Sequence, residues 1–156
     1  PSQFASAWDW HKNIMEADLA RSFHHEYERG RDQLSASLRE QIERGRRVLA
    51  VDYNNALDQS RALNFALDEI FMRYDAILTP AASGTAPAGL ETTGRPVFCT
   101  LWTLCGMPAI TLPLLTGANG LPMGVQLVGR HGDDARLLRT ARWLVQELSN
   151  EMEQPA

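Results

Sequence analysis

The sequence predicts an α/β fold, a mixed β-sheet covered by helices, and three observations carry that expectation. Between Tyr74 and Gly129 lie three short runs rich in Ile, Leu and Val, each fenced by Gly or Pro, which is the pattern of buried strands. The runs are Ala76-Ile77-Leu78-Thr79, Ala109 to Leu114, and Met123 to Gly129. The chain before them repeats apolar residues at steps of three and four, and so does the chain after them, so helices clad the sheet. The resulting organisation is residues 1–74 mainly helical, 75–129 strands and a pocket loop, and 133–149 a C-terminal helix.

From Phe4 to Tyr27, the residues Trp10, Ile14, Ala17, Leu19 and Phe23 recur at helical spacing with charged residues between them. Ser35 is placed to cap a short helix carrying Leu38 and Ile42 on one face. Gly45 stands where a left-handed residue would end it, with Arg44, Arg46 and Arg47 near the negative end of its dipole. The clearest helix spans Val51 to Tyr74, with Tyr53, Ala56, Leu57, Leu63, Leu67, Ile70, Phe71 and Tyr74 along one face. It feeds the strand that ends at Pro80, which reads as half of a crossover unit within a larger sheet.

Residues 81–95 hold Gly84, Gly89 and Gly94 among Ala, Ser, Thr and Pro, a loop of a length that is uncommon inside compact domains. Two readings are open for it, a lid or pocket wall and a surface excursion. Phe98 to Leu104 is expected as a short helix stopped by Gly106 and Pro108. The last two strands are joined by Leu115 to Pro122, whose Thr116-Gly117-Ala118-Asn119-Gly120 centre has hairpin residues, so they are expected to pair antiparallel. Asp133 caps a final helix with Leu137, Leu138, Ala141, Leu144, Val145 and Leu148 as its buried stripe, and Glu151 onward is tail.

A chain of 156 residues with 44% hydrophobic content is sized as one domain or part of one. Its net charge of -4 and lack of a basic stripe argue against a nucleic-acid partner, because that affinity depends on clustered Lys and Arg. The apolar segments fall short of the ~20 residues of a membrane span, and Asp9, His11 and Lys12 rule out a signal peptide at the start. The expected location is cytoplasmic, with Cys99 and Cys105 as small hydrophobes in a reducing compartment. Pro1 reads either as the residue after a removed Met or as the start of a piece cut from something longer.

Chemistry-bearing patterns are sparse. His24-His25-Glu26 does not make a zinc pair, because adjacent helical residues point about 100° apart. His131 with Asp133 imitates two members of a triad, yet Asp133 is better explained as a helix cap. Ser83, between a strand and Gly84, comes nearest to a nucleophile elbow, and no phosphate loop occurs. No catalytic residue, metal site or cofactor is assigned.

The ordered set Tyr74-Asp75-Ala76-Ile77-Leu78-Thr79-Pro80, Gly106-Met107-Pro108-Ala109-Ile110-Thr111-Leu112-Pro113 and Gly120-Leu121-Pro122-Met123-Gly124-Val125-Gln126-Leu127-Val128-Gly129-Arg130, followed by the Leu137-Leu138 helix, closely resembles the C-terminal part of amidase signature enzymes. The resemblance reaches back through Ser35, Gly45 and the Asp52-Tyr53 helix, covering nearly the whole chain. It implies a partial amidase-signature-like fold and, for the parent, hydrolysis of carboxylic amide C–N bonds. In the family a Lys acts as base through a bridging cis-Ser and a second Ser attacks the carbonyl. Those elements belong to the family's N-terminal half, and nothing here matches them: the Gly- and Ser-rich loop does not occur, and Lys12, the only lysine, reads as a surface charge.

The resemblance therefore implies a C-terminal segment that is inactive alone and supplies scaffold and pocket wall. Its partners would be a small-molecule amide in the complete enzyme and the missing N-terminal half, with homo-oligomerisation possible through exposed edges. The helix before the Gly-x-Pro-Ala strand approaches the acyl group in that family, so Phe98, Cys99, Leu101, Trp102 and Thr103 are the substrate-binding candidates by resemblance. Independently, Phe and Trp beside a small-residue loop suit an apolar pocket. A rival expectation is a non-catalytic interaction module that keeps the fold, and a third is catalysis by Ser83 or a cysteine of this chain.

Overall fold

A computed structural model describes residues 4–153, which divide into two compact units meeting within one helix, the first ending at Leu63 and the second beginning at Asn64. The first unit holds α1 (Ala7–Ser22), α2 (His24–Gly30), a single 3-10 turn (Arg31–Gln33), α3 (Ala36–Gly45) and the first part of α4 (Ala50–Phe71). The second holds the rest of α4, β1 (Ile77–Pro80), α5 (Thr100–Cys105), β2 (Ala109–Thr116), β3 (Pro122–Val128) and α6 (Asp134–Glu153). The α/β class is borne out, and no helix among the described residues is long and apolar enough to cross a membrane.

In the first unit the single helix expected up to Tyr27 is two. Phe23 leaves helical geometry at φ -95, ψ 19, its N–H still bonding Leu19 O at 2.9 Å while its carbonyl accepts from Tyr27 N at 2.9 Å. One residue thus closes α1 and opens α2 without orphaning a backbone group. Ser35 caps α3 as expected, accepting from Leu38 N at 3.3 Å.

Gly45 corrects an expectation: it is the last residue of α3 and has no positive φ. Its role is close approach, since a Cβ there would lie 1.8 Å from the Glu16 carbonyl oxygen and 3.0 Å from Ala20 Cβ. That proximity lets Arg44 reach the Glu16 carboxylate, 4% exposed, through Nε at 2.8 Å and a terminal guanidinium nitrogen at 2.7 Å. A carboxylate so deeply buried is tolerated because the guanidinium partners it. Nearby, Glu43 Oε1 accepts from Arg31 at 2.6 Å and from Tyr27 OH at 2.7 Å, and Arg46 lies over the Tyr27 ring at 4.1 Å while pairing with Glu28.

In the second unit α4 buries Leu67 and Phe71 and ends at Phe71, so Tyr74 lies beyond the helix and is 63% exposed. The three strands form one antiparallel sheet in the order β1-β3-β2. β1 pairs with β3 in the register Ile77 to Val128 through Pro80 to Val125, so within this chain it enters the sheet beside the last hairpin rather than through a parallel crossover. The expected antiparallel hairpin is present; β2 runs to Thr116 rather than Leu114, and its register slips by one residue between Leu112 and Leu115. Pro113 lies in that slip; it has no N–H to give a ladder, and a bulge is where a strand accommodates it.

The register puts Leu78, Leu127 and Ile110 on one face. There α6 packs, burying Leu137 and Ala141 against Leu112 and Leu127, with Ile110, Leu114 and Leu144 at the margin. Gly129 permits this, since its Cβ would stand 3.0 Å from Leu137 Cβ. The stripe expected on α6 is narrower than its sequence suggests: Leu138 is 58% and Val145 37% exposed, and Trp143 is exposed as well. The helix also continues through Glu151 to Glu153, where tail was expected; Gln154 to Ala156 lie outside the described residues.

Two outcomes follow for the first unit. Gly45→Ala would force α1 and α3 apart and should destabilise the chain by at least about 2 kcal/mol, read as a lower urea midpoint at unchanged m. The Arg31 guanidinium and then the Tyr27 hydroxyl hold the Glu43 carboxyl below the ordinary carboxylate range. A folded-state value depressed in this way contributes stability at neutral pH that is lost as pH falls through it. Tyr27→Phe should move the Glu43 carboxyl upward in an NMR titration, and an unchanged midpoint would contradict the pairing.

Candidate functional site

The loop after β1 is built by small residues pressed onto the sheet. Ala81 N donates to Gly124 O at 3.0 Å, and Gly124 sits where a Cβ would lie 2.3 Å from Thr111 Cγ2 and 3.0 Å from Ala81 Cβ. Further along, Asn119 Nδ2 donates to Thr85 Oγ1 at 3.0 Å, and a Cβ on Gly117 would meet Thr85 Cγ2 at 2.3 Å, so the hairpin tip is tied to the loop. The tip itself turns at Gly120, φ 78, with Gly117 N bonded to Leu121 O at 2.9 Å.

The loop returns at Pro96, whose carbonyl accepts from the Thr100 hydroxyl at 2.8 Å as α5 begins. α5 ends at Gly106, φ 62, where Met107 N returns to Trp102 O at 2.9 Å; this left-handed stop sends the chain into β2. Between the outgoing and returning limbs, beside the ends of β1 and β3, is a cavity of about 470 Å³. Its floor includes Ala82, Ser83 and Gly84, and its walls include the Phe98 side and the apolar residues Met123 and Val125. A volume of this size with an apolar lining and few polar groups lies within the range of small-molecule pockets.

Of the five residues proposed from sequence, Phe98 lines the cavity. Cys99 is half-buried, its Sγ 3.7 Å from Ala81 O and 4.0 Å from Gln126 Oε1. Leu101 is half-buried, Trp102 is in the core at 9% exposure, and Thr103 is exposed with its hydroxyl donating to Cys99 O at 3.1 Å; none of these three lines the cavity. Sequence reasoning passed over Gln126 and Thr79. Gln126, 4% exposed, donates from Nε2 to Thr79 Oγ1 at 3.1 Å and to Phe98 O at 3.0 Å. The signal was available, an amide in the middle of an otherwise apolar strand.

Ser83 stands on the cavity floor. Burial pushes the Cys105 thiol up to about 11, which keeps it protonated and unreactive at neutral pH. His131 is exposed with its imidazole beside Gly106, and no group of three metal-ligating side chains occurs among the described residues. A wider, more open cleft of about 710 Å³ lies between β1 and α6, where Tyr74, Leu78 and Trp143 meet Arg73, Arg136 and Arg139; Arg136 pairs with Asp75 at 2.7 Å.

Comparison with known proteins accords with this architecture. A family model described as Amidase matches residues 3–138. A glutamyl-tRNA(Gln) amidotransferase subunit of Agathobacter rectalis is 36% identical over 96 residues, covering 57% of this chain and 19% of that protein. The same subunit of Alkaliphilus metalliredigens is 32% identical over 110 residues, covering 66% of this chain and 22% of that protein. A crystal structure of an amidase superposes with TM-score 0.76 at 26% identity, over 90% of this chain and 35% of that one. The fold is also that of 6-aminohexanoate cyclic dimer hydrolase, TM-score 0.68 at 20% identity, over 82% of this chain and 32% of that one. The chain thus spans about a fifth of the length of the curated relatives it matches. With its family match running over most of the sequence, the chain belongs to the amidase family.

Proposed function

We propose that this chain serves as the rear part of an amidase domain, in which it supplies scaffold and one wall of the pocket that holds a carboxylic amide. The observation that carries the reading is the cavity itself: small residues at Ala82 to Gly84 open a floor, Phe98 closes one side, and both are held to the sheet in a chain that superposes on about a third of a solved amidase. On this reading the C–N bond is broken by a Ser-cis-Ser-Lys triad carried by residues outside these 156. Phe98, with Cys99 behind it, shapes the acyl side of the pocket, and Leu101, Trp102 and Thr103 hold that wall in place from α5. The chain alone does not hydrolyse amides.

The exposed apolar residues support a covering polypeptide. Tyr74, Leu78 and Trp143 are each more than half exposed around one cleft, and among the described residues no strand pairs with the outer edge of β1. The amidase half that carries the triad would cover them. In its absence, pairing of two copies through that edge would do so.

Two experiments test the reading. The purified chain should neither turn over a simple amide nor be labelled by a fluorophosphonate at Ser83, whereas co-expression with a triad-bearing amidase half should give a stable complex with amidase activity. A soluble monomer that refuses every such half would instead favour an interaction module. In the active complex, Phe98→Ala should raise KM for amides with bulky apolar acyl groups by roughly tenfold or more, and that for the smallest amides much less, as expected when a pocket wall is removed.

A further inference from the structure

We propose that Gln126 is a positioning residue that fixes the Phe98 wall of the cavity and thereby sets which apolar groups the pocket admits; this rests on the reading of that cavity as the amide pocket. Gln126 sits in the middle strand of the sheet at 4% exposure, with all its polar atoms engaged. Its amide nitrogen spends one hydrogen on Thr79 Oγ1 at 3.1 Å and the other on the Phe98 carbonyl at 3.0 Å, and its Oε1 faces the Cys99 thiol at 4.0 Å. The Phe98 carbonyl is an acceptor only, so the amide has one possible orientation.

The three partners come from different parts of the site. Thr79 belongs to β1, which leads into the loop; Phe98 and Cys99 are where the loop returns. The Cys99 thiol reaches Ala81 O at 3.7 Å, so one side chain and its neighbour close the base of the loop from both limbs. Among the described residues Gln126 is the donor that holds the Phe98 carbonyl, so the ring's position depends on a group that points out of the sheet's middle strand. A leucine would fill the same volume and offer neither hydrogen. A glutamate would keep the shape, but ionised it offers two acceptors to a carbonyl; protonated, it regains one donor.

The test reads the wall without requiring turnover. Cys99 lies at the tether, and Cys105, buried with its thiol pushed up to about 11, serves as an internal reporter of unfolding in the same chain. A dipyridyl disulfide, which reacts under mildly acidic conditions, is applied to the wild-type chain, Gln126→Leu and Gln126→Glu. In Gln126→Leu, Cys99 should react roughly ten- to a hundredfold faster than in wild type with Cys105 still silent, the effect of losing two buried hydrogen bonds on a local opening. In Gln126→Glu the rate relative to wild type should be high at neutral pH and fall as the pH is lowered and the carboxyl protonates.

A Cys99 rate in Gln126→Leu equal to that of wild type would overturn the assignment. If that variant unfolds and exposes Cys105, Gln126→Glu decides, and a rate ratio flat with pH overturns it. In the complex with a triad-bearing half, Gln126→Leu should raise KM for bulky apolar amides with a smaller change in kcat. Lack of turnover in the wild-type complex would strike the amidase reading alone, since the thiol rates stand without it.

Discussion

The second unit hangs from one strand. β3 is the middle of the sheet, and it carries on its two faces the groups that everything else must meet: Leu127 toward α6, and Gln126 toward the loop and Phe98. Because side chains alternate along a strand, a slip of one residue would present the amide to the apolar face under α6 and the leucine to Thr79 and the Phe98 carbonyl. The register is held from both sides, by β1 through Ile77 to Pro80 and by β2 through Ala109 to Thr116, with the irregularity confined to the stretch around Pro113. Glycines at each end of β3 complete the constraint, Gly124 admitting Thr111 and Ala81, Gly129 admitting Leu137. The cavity is a consequence of this frame, since it forms where small residues let a loop leave the sheet and a buried amide brings it back.

The first unit is organised on different chemistry. Beside the buried Ala20 and Ile42, α1 and α3 also meet through a glycine contact and an ion pair between a half-exposed guanidinium and a buried carboxylate: Gly45 rests on the Glu16 carbonyl, and Arg44 beside it pairs with the Glu16 carboxylate. Such a pair is a weak source of net stability, because desolvation consumes most of the attraction, but it penalises any arrangement that leaves Glu16 buried without its partner. The Tyr27, Arg31, Glu43 and Arg46 cluster repeats the theme nearer the solvent, where hydrogen bonds and a cation over a ring fix geometry more than they add free energy. Polar matching thus adds specificity to the apolar packing of Ala20, Ile42, Ala56 and Leu63.

What distinguishes the second unit is how much apolar surface it leaves uncovered. Trp143, Leu138 and Val145 on α6 and Leu78 on β1 are exposed, while Leu137 and Ala141 one face away are buried. An amphipathic helix laid on a three-stranded sheet can bury only as wide a stripe as the sheet is broad. The width of the hydrophobic stripe on α6 therefore exceeds what these strands can accept, which is in keeping with a chain that covers about a third of the solved amidase it superposes on.

Much of the fold was legible in the sequence because it is written in local terms. Periodicity gave the long helix and α6, Ser35 gave a cap, and the Gly117 to Gly120 tip gave an antiparallel hairpin. The ordered motifs from Tyr74 to Gly129 gave the family, because their order and spacing are properties of the chain itself. What only the tertiary structure decided were relations between distant residues. Gly45 is needed for the approach of Glu16, 29 positions earlier in the numbering, which no local turn signal encodes. The exposure of Leu138 and Val145 depends on the breadth of the sheet beneath them, and the cavity lining depends on Gln126 reaching Phe98 across the strand. Periodicity says which side of an element is apolar, but whether that side is covered, and which buried polar group finds which partner, is settled by packing, where contacts are made between residues that the sequence keeps far apart.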